Sequence, residues 1–415
     1  MKTKILATTL LLISLFAIKA YSQVNTDELF IYGKVTTIDG DKYIGQIRWG
    51  TEEVFWFDFF NATKPNNENL EFLSRSEMND LRETSGHWAE RWVERVFSVN
   101  DGSYNNNFTH TFACQFGDLK SIEVKSRNRV NIILKDDQVI RLDDGSNDIG
   151  ATIRILDEEL GKVEVKWDRL ERVDFMETPK NLKDKFGEPI FGKVQTRYGE
   201  ITGYIQWDHD ERLSVDKIDG ETRRDNYSVP FENIQSIEKY GRGVLLKTKS
   251  GKELELDGSN DVNRENRGII VNTLGMGYVD IPWSEFEKLT LSDPAKGDLV
   301  GYNDFKGPNK LAGTVLLTNG TSYSGIIVYD LDESIDIEVL NGEKDDIEYL
   351  LPFRAIQKIN PKNYYYTQVT LKDGDMLLLG KTQDVSDQNT GILVFESESN
   401  YYYIPWRDVE EIVFK

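Results

Sequence analysis

Three stretches of this chain repeat one another, and that repetition limits the fold more than any other feature. "GKVTTIDGDKYIGQIRW" from Gly33, "GKVQTRYGEITGYIQWDHDE" from Gly192 and "GTVLLTNGTSYSGIIVYDLDE" from Gly313 share a glycine and a second glycine seven residues on. A third follows four or five later, and an aromatic four beyond that, at Trp49, Trp207 and Tyr329. Alternating apolar residues around turn-forming Gly and Asp or Asn pairs read as a β-hairpin. A chain that repeats such a unit builds its core from copies of it.

A second pattern closes each unit. "VPFENIQSI" and "LPFRAIQKI" place Phe231, Ile234, Ile237 and Phe353, Ile356, Ile359 at spacing three. "IPWSEFEKL" and "IPWRDVEEI" do the same with Trp283, Phe286, Leu289 and Trp406, Val409, Ile412. Without the proline it recurs at Phe116, Leu119, Ile122 and at Trp167, Leu170, Val173. An aromatic with apolar residues three and six later suits a single helical or 3₁₀ turn that packs inward and leads into a closing strand. Six occurrences predict an all-β chain of three tandem modules, near 23–180, 181–295 and 296–415, each made of two related halves of about 50 to 70 residues, a length at which small β-domains fold.

The halves resemble small β-barrels of the Sm-like and SH3-like kind. The resemblance is carried by Val194, Gly199, Gly203, Ile205 and Asp208, and by Val315, Gly320, Tyr323, Gly325, Ile327 and Asp330. It implies barrel-like halves. The RNA binding of Sm proteins does not carry over, because this chain lacks their basic loop residues. Six four-stranded units closing into a six-bladed propeller is the alternative. Spacings of 51, 52 and 53 residues within modules against 64 and 70 between them favour paired barrels.

One region departs from the repeat. Trp49 to Phe116 spans 67 residues where Trp207 to Phe231 and Tyr329 to Phe353 span 24 each, so the first module carries about 43 extra residues, placed near 55–100. The stretch after Gly86 is helix-compatible, with Trp88, Trp92 and Val96 on one face. A lid on the first barrel is one reading and a ligand or partner surface at Trp88 and Trp92 the other, since insertions on a repeated scaffold tend to carry function.

"DGSND" occurs twice, at 144–148 and 257–261. Asp148, Asp261 and Asp384 recur in all three modules, whereas Asp144 and Asp257 become Gly380. A calcium loop needs six to eight oxygen ligands, which the third copy lacks. Turn-and-cap residues bonding nearby backbone N–H groups are therefore expected. No cofactor is expected; weak calcium binding by Asp144, Asp148, Asp257 and Asp261 is the competing reading.

The N-terminus has Lys2 and Lys4, an apolar run from Ile5 to Ile18, and Ala20 and Ser22 placed for cleavage before Gln23, an export signal over 1–22. Its removal takes three lysines and moves the net charge from −21 to −24. Such a surface repels nucleic acid and anionic lipid. The apolar run falls short of the roughly 20 residues of a spanning helix. The lone Cys114 lies far from the cleavage point, so an N-terminal lipid anchor is not expected, and in "FACQFG" it reads as a buried small hydrophobe. The expected location is periplasmic or secreted.

Catalytic signatures fail. "GDMLLLGKT" at 374–382 has five residues between its glycines where a phosphate loop needs four. With His87, His110 and His209 alone there is no zinc motif, and no nucleophile elbow occurs. The acidic hairpins Asp208, Asp210, Glu211 and Asp330, Asp332, Glu333 read as solvated turns, with glycoside hydrolysis as the sharper alternative. "NYYYTQ" and "NYYYIPW" offer Tyr364, Tyr366, Tyr401 and Tyr403 as sugar-stacking rings, with Tyr365 and Tyr402 turned inward by alternation. The expectation is an exported, non-catalytic binding or scaffolding protein with a protein or glycan partner in the envelope. A polysaccharide-binding protein or glycoside-active enzyme is the alternative.

Overall fold

The alternating runs become strands whose order of hydrogen bonding repeats along the chain. The structure, a computed structural model, describes residues 24–84 and 110–415. The first ten strands are β1 (Tyr32–Thr37), β2 (Lys42–Trp49), β3 (Phe59–Lys64), β4 (His110–Gln115), β5 (Leu119–Ser126), β6 (Arg129–Leu134), β7 (Val139–Asp143), β8 (Ile153–Asp157), β9 (Gly161–Val165) and β10 (Leu170–Phe175). The next ten are β11 (Phe191–Thr196), β12 (Gly199–Trp207), β13 (Lys217–Glu221), β14 (Asn226–Pro230), β15 (Ile234–Tyr240), β16 (Gly243–Thr248), β17 (Glu253–Leu256), β18 (Ile269–Thr273), β19 (Gly277–Ile281) and β20 (Phe286–Leu291). The last are β21 (Ala312–Leu317), β22 (Ser322–Val328), β23 (Val339–Lys344), β24 (Ile347–Pro352), β25 (Ile356–Pro361), β26 (Tyr366–Leu371), β27 (Met376–Gly380), β28 (Ile392–Ser397), β29 (Asn400–Ile404) and β30 (Val409–Phe414).

Among the described residues all pairings are antiparallel and make sheets of 10, 18 and 2 strands. The first sheet runs β4-β3-β7-β6-β5-β10-β1-β2-β8-β9. The third set follows the same order, β24-β23-β27-β26-β25-β30-β21-β22-β28-β29. The second runs β17-β16-β15-β20-β11-β12-β18-β19, with β13 and β14 as the separate two-stranded sheet. Among the described residues a single joint, β19 against β24, fuses the second and third sets.

The expected barrel-like halves need correction, because the two halves of each set are interleaved. The hairpin β1–β2 pairs with β10 and β8 of the other half, while β6–β7 pairs with β5 and β3. Among the described residues the ladders stay open, and neither a closed barrel nor a propeller is found. The physical reason is that a hairpin needs an edge of matching register, and related halves offer equivalent edges to either hairpin.

The aromatic closers form 3₁₀ turns at Phe116–Asp118, Trp167–Arg169, Phe231–Asn233, Phe353–Ala355 and Trp406–Asp408; Trp283 opens a plain turn. In each 3₁₀ case the N–H of the next residue bonds back to the aromatic's carbonyl and the chain leaves as a strand. All six rings are buried. Trp167, Trp283 and Trp406 meet Trp49, Trp207 and Tyr329 edge-on at centroid distances of 6.1, 6.1 and 5.8 Å, so the three copies build the same aromatic corner. One continuous core serves the second and third sets; another lies in the first and takes in Tyr204, Leu213, Phe305 and Ile337 from the others.

The extra residues enter the hairpin between β3 and β4, over 65–109, and so later than the expected 55–100. They start with a 3₁₀ turn at Glu68–Phe72 and helix α1 (Arg75–Thr84). Its described part reaches the third set. Phe72 packs edge-on against Phe395 and Tyr401 at 4.9 and 5.2 Å, and the Asn69 amide donates to the Leu331 carbonyl at 3.0 Å, all in the third set. The export signal and the candidates Trp88 and Trp92 lie outside the described residues.

Candidate functional site

The two "DGSND" loops, and "GKTQD" at 380–384 in the third set, each act as a clamp on one residue of a neighbouring strand. Asp148 accepts the backbone N–H of Asn61 at 2.7 Å and Ser146 donates its hydroxyl to the Asn61 carbonyl. Asp261 and Ser259 hold Asp219 in the same way, and Asp384 and Thr382 hold Asn341. In all three, both backbone groups of a strand residue are satisfied by one turn. Asp144 and Asp257 stay exposed, and each accepts the N–H of its own following glycine at 2.8 Å. Among the described residues no group of three or more His, Cys, Asp or Glu is arranged to hold a metal ion.

The acidic hairpins are not solvated turns. Asp208 and His209, like Asp330 and Leu331, take left-handed backbone conformations, at φ between 48° and 61°, as Gly50 does in the first copy. That tight turn brings Glu53, Glu211 and Glu333 back beside Trp49, Trp207 and Tyr329. Each glutamate thereby lies near the clamp aspartate of its own set. Burial, then the neighbouring Asp261, pushes Glu211 up to about 9. Burial likewise lifts Asp148 to about 7 and drives Glu53 and Glu333 well above the ordinary carboxylate range. In the third set Asp330, Asp332 and Glu333 are all buried; in the second, Asp208 is buried and Asp210 is bound by Arg267.

Charged pairs also cross between the sets. Arg212 of the second binds Asp58 of the first, both buried, and Arg48 reaches back to Asp216 at 3.3 Å. Lys64 joins Asp332 at 2.8 Å and also Glu338, while Arg354 returns to Asp118 at 2.5 Å. Asp58, Asp216 and Glu338 are themselves equivalent: each carboxylate accepts two backbone N–H groups of the loop preceding it. Charged pairs in such buried settings favour one relative placement of the sets. Cys114 is buried, and burial pushes its thiol well up.

The tyrosines remain as the outward-facing candidates. The Asn363 side chain accepts the N–H of Tyr365 at 2.8 Å and of Tyr366 at 3.0 Å, an Asx turn that fixes the tip between β25 and β26. Tyr364 and Tyr365 are 70% and 69% exposed and Tyr366 is 42% exposed. Tyr365 was expected inside; it lies outside because β26 begins only at Tyr366, so strand alternation does not reach the turn. Tyr401 and Tyr403 are partly covered. Tyr401 packs under Phe72, and the Tyr403 hydroxyl donates to the Thr390 carbonyl at 2.7 Å. Tyr402 packs tilted against Tyr323 at 4.2 Å. No family model, no curated protein and no solved structure matches this chain.

Proposed function

We propose that this chain is an exported, non-catalytic repeat protein that binds or scaffolds in the cell envelope or outside the cell. The observation that carries the reading is the turn Asn363–Tyr366, where exposed rings stand on a backbone held by Asn363, while Asp148, Asp261 and Asp384 are engaged in backbone clamps. Rigid amphipathic rings at a surface suit a glycan face or a protein partner, because they offer contact area at little entropic cost. The export signal over 1–22 supports the location, and no described helix is long and apolar enough to cross a membrane.

The test is a glycan array probed with the mature protein and with Tyr364→Ala/Tyr365→Ala, followed by a reducing-end assay on every glycan bound. Binding that falls at least tenfold in the variant, with no new reducing ends, is the expected result. Release of reducing ends would place the protein among glycoside-active enzymes. Unchanged binding in the variant would move the site elsewhere.

A further inference from the structure

The joint between β19 and β24 matches Tyr278 with Leu350, Val279 with Tyr349 and Asp280 with Glu348, and the last of these rungs sets two acids directly opposite each other. Like charges in that position oppose pairing. The other copies avoid it. β3–β4, β13–β14 and β23–β24 are equivalent hairpins, and the place of Glu348 is taken by Thr111 in the first and by Asn226 in the second. β9 and β19 are equivalent as well: Glu164, the counterpart of Asp280, faces Arg154 and binds it at 3.2 Å. Asp280 instead faces Ile270 on its inner side and Glu348 on its outer side. Among the described residues, the ladder that joins two sets therefore carries an acid pair that the corresponding rungs of the other copies lack.

His209 meets that rung. The turn after β12 holds it in the left-handed region, at φ 61°, and brings its Nε2 to 3.0 Å from the Asp280 carboxylate; Leu331 takes the equivalent place in the third set. Glu348 accepts the Asn341 amide at 2.7 Å. The remaining charges nearby are bound elsewhere or add to the negative field. Lys381 is engaged by Glu343 at 3.3 Å and by Asp346, and Arg267 by Asp210 and Asp208. Glu343 on β23 and Glu52 of the first set, the latter held by the Asn147 amide at 2.6 Å, are the further acids around the joint. Burial, then Asp280, pushes Glu348 up to about 7. Burial acts against a charged His209, but the Asp280 carboxylate outweighs it and raises the imidazole above 6.5. Both groups thus hold protons more tightly in the closed joint than in water. The stability this lends is complete below about 4.5 for Glu348 and below about 6.5 for His209, and it is lost as pH rises through their raised values.

We propose that the β19–β24 joint is a proton-operated latch, closed when Glu348 and His209 carry their protons and loosened when both are lost. In acid the rung sets Asp280 against a charged imidazole and a neutral Glu348; in base it sets two carboxylates against a neutral imidazole. Opening parts only the rungs of this joint, because the second and third sets keep their own ladders and share one continuous core. It frees the backbone edges of β19 and β24 to exchange with water. The latch stands independently of any ligand at the Tyr364 turn.

The test is hydrogen exchange on the mature full-length chain at about pH 5 and about pH 8, each rate corrected for intrinsic chemistry, with the β8–β9 ladder as internal reference. Protection of Tyr278–Asp280 and Glu348–Leu350 relative to that reference is expected to fall about tenfold or more at the higher pH, since one pKa unit between closed and open forms is a factor of ten. Glu348→Gln should keep most of its protection at the higher pH. His209→Leu should lose protection already at the lower pH, where the wild type is closed. A relative protection in wild type that is constant with pH overturns the proposal, as does a Glu348→Gln variant that falls like wild type or a His209→Leu variant unchanged at the lower pH. Should His209→Leu fail to fold by circular dichroism, the comparison of wild type with Glu348→Gln decides it alone.

Discussion

The Trp207 indole N–H donates to the backbone carbonyl of Asp261 at 2.9 Å, and Trp49 reaches Asp148 in the same way at the same distance. In the third set the Tyr329 hydroxyl takes over, reaching Asp384 at 2.6 Å. The hairpin aromatic is thereby tied to the clamp loop in every copy. Trp207→Phe keeps most of the buried ring and leaves the Asp261 carbonyl without this donor, so a loss of about 1–3 kcal/mol in urea unfolding is expected.

Trp283 meets Trp207 edge-on and stacks on Phe286 at 5.4 Å. Trp283→Ala is expected to cost about 3–5 kcal/mol. A loss below about 1 kcal/mol on denaturant melting would show that the corner does not carry the core.

Glu211 keeps its proton up to about 9 in the folded chain, whereas a free glutamate loses it near 4.5. The folded state binds the proton more tightly, so the stability linked to Glu211 is complete below about 4.5 and is lost as pH rises toward 9. The melting temperature of wild type should fall across that window more than that of Glu211→Gln. Parallel pH profiles would contradict a buried, protonated Glu211.

Asp148 and Asp261 spend their carboxylates on backbone N–H groups, and Asp144 and Asp257 on their own turns. Calcium and magnesium at equal millimolar concentration should shift the melting temperature equally and slightly, through relief of self-repulsion in a chain of net charge −21. A calcium-selective rise that vanishes in Asp257→Ala/Asp261→Ala would instead establish a site.

Phe72 and Asn69 fasten the inserted segment to the third set. Phe72→Ala is expected to cost about 1–2 kcal/mol, less than full burial of a phenylalanine is worth because the ring is only partly covered. Hydrogen exchange should quicken in β28 and β29. Protection unchanged there would mean the clasp contributes nothing to that edge.

Much of this molecule was legible one short window at a time. Strand periodicity, the glycine-spaced hairpins, the aromatic closers and the recurring clamp aspartates are properties of short contiguous stretches, because pleat, turn and cap geometry act locally. Asp148, Asp261 and Asp384 could be read as caps on that basis, and Trp167, Trp283 and Trp406 as equivalent core rings. Other features were settled only by tertiary structure. That β1 and β2 complete the sheet of the other half, that Phe72 crosses from the first set to the third, and that Asp208 and Asp330 are buried all depend on which surface arrives from more than 50 residues away. An Asp-x-Asp-Glu turn has the same local pattern in water as under a neighbouring loop. What buries Asp330 is Thr390, donating to it from 60 residues further along the chain, and no local period in the sequence records that approach.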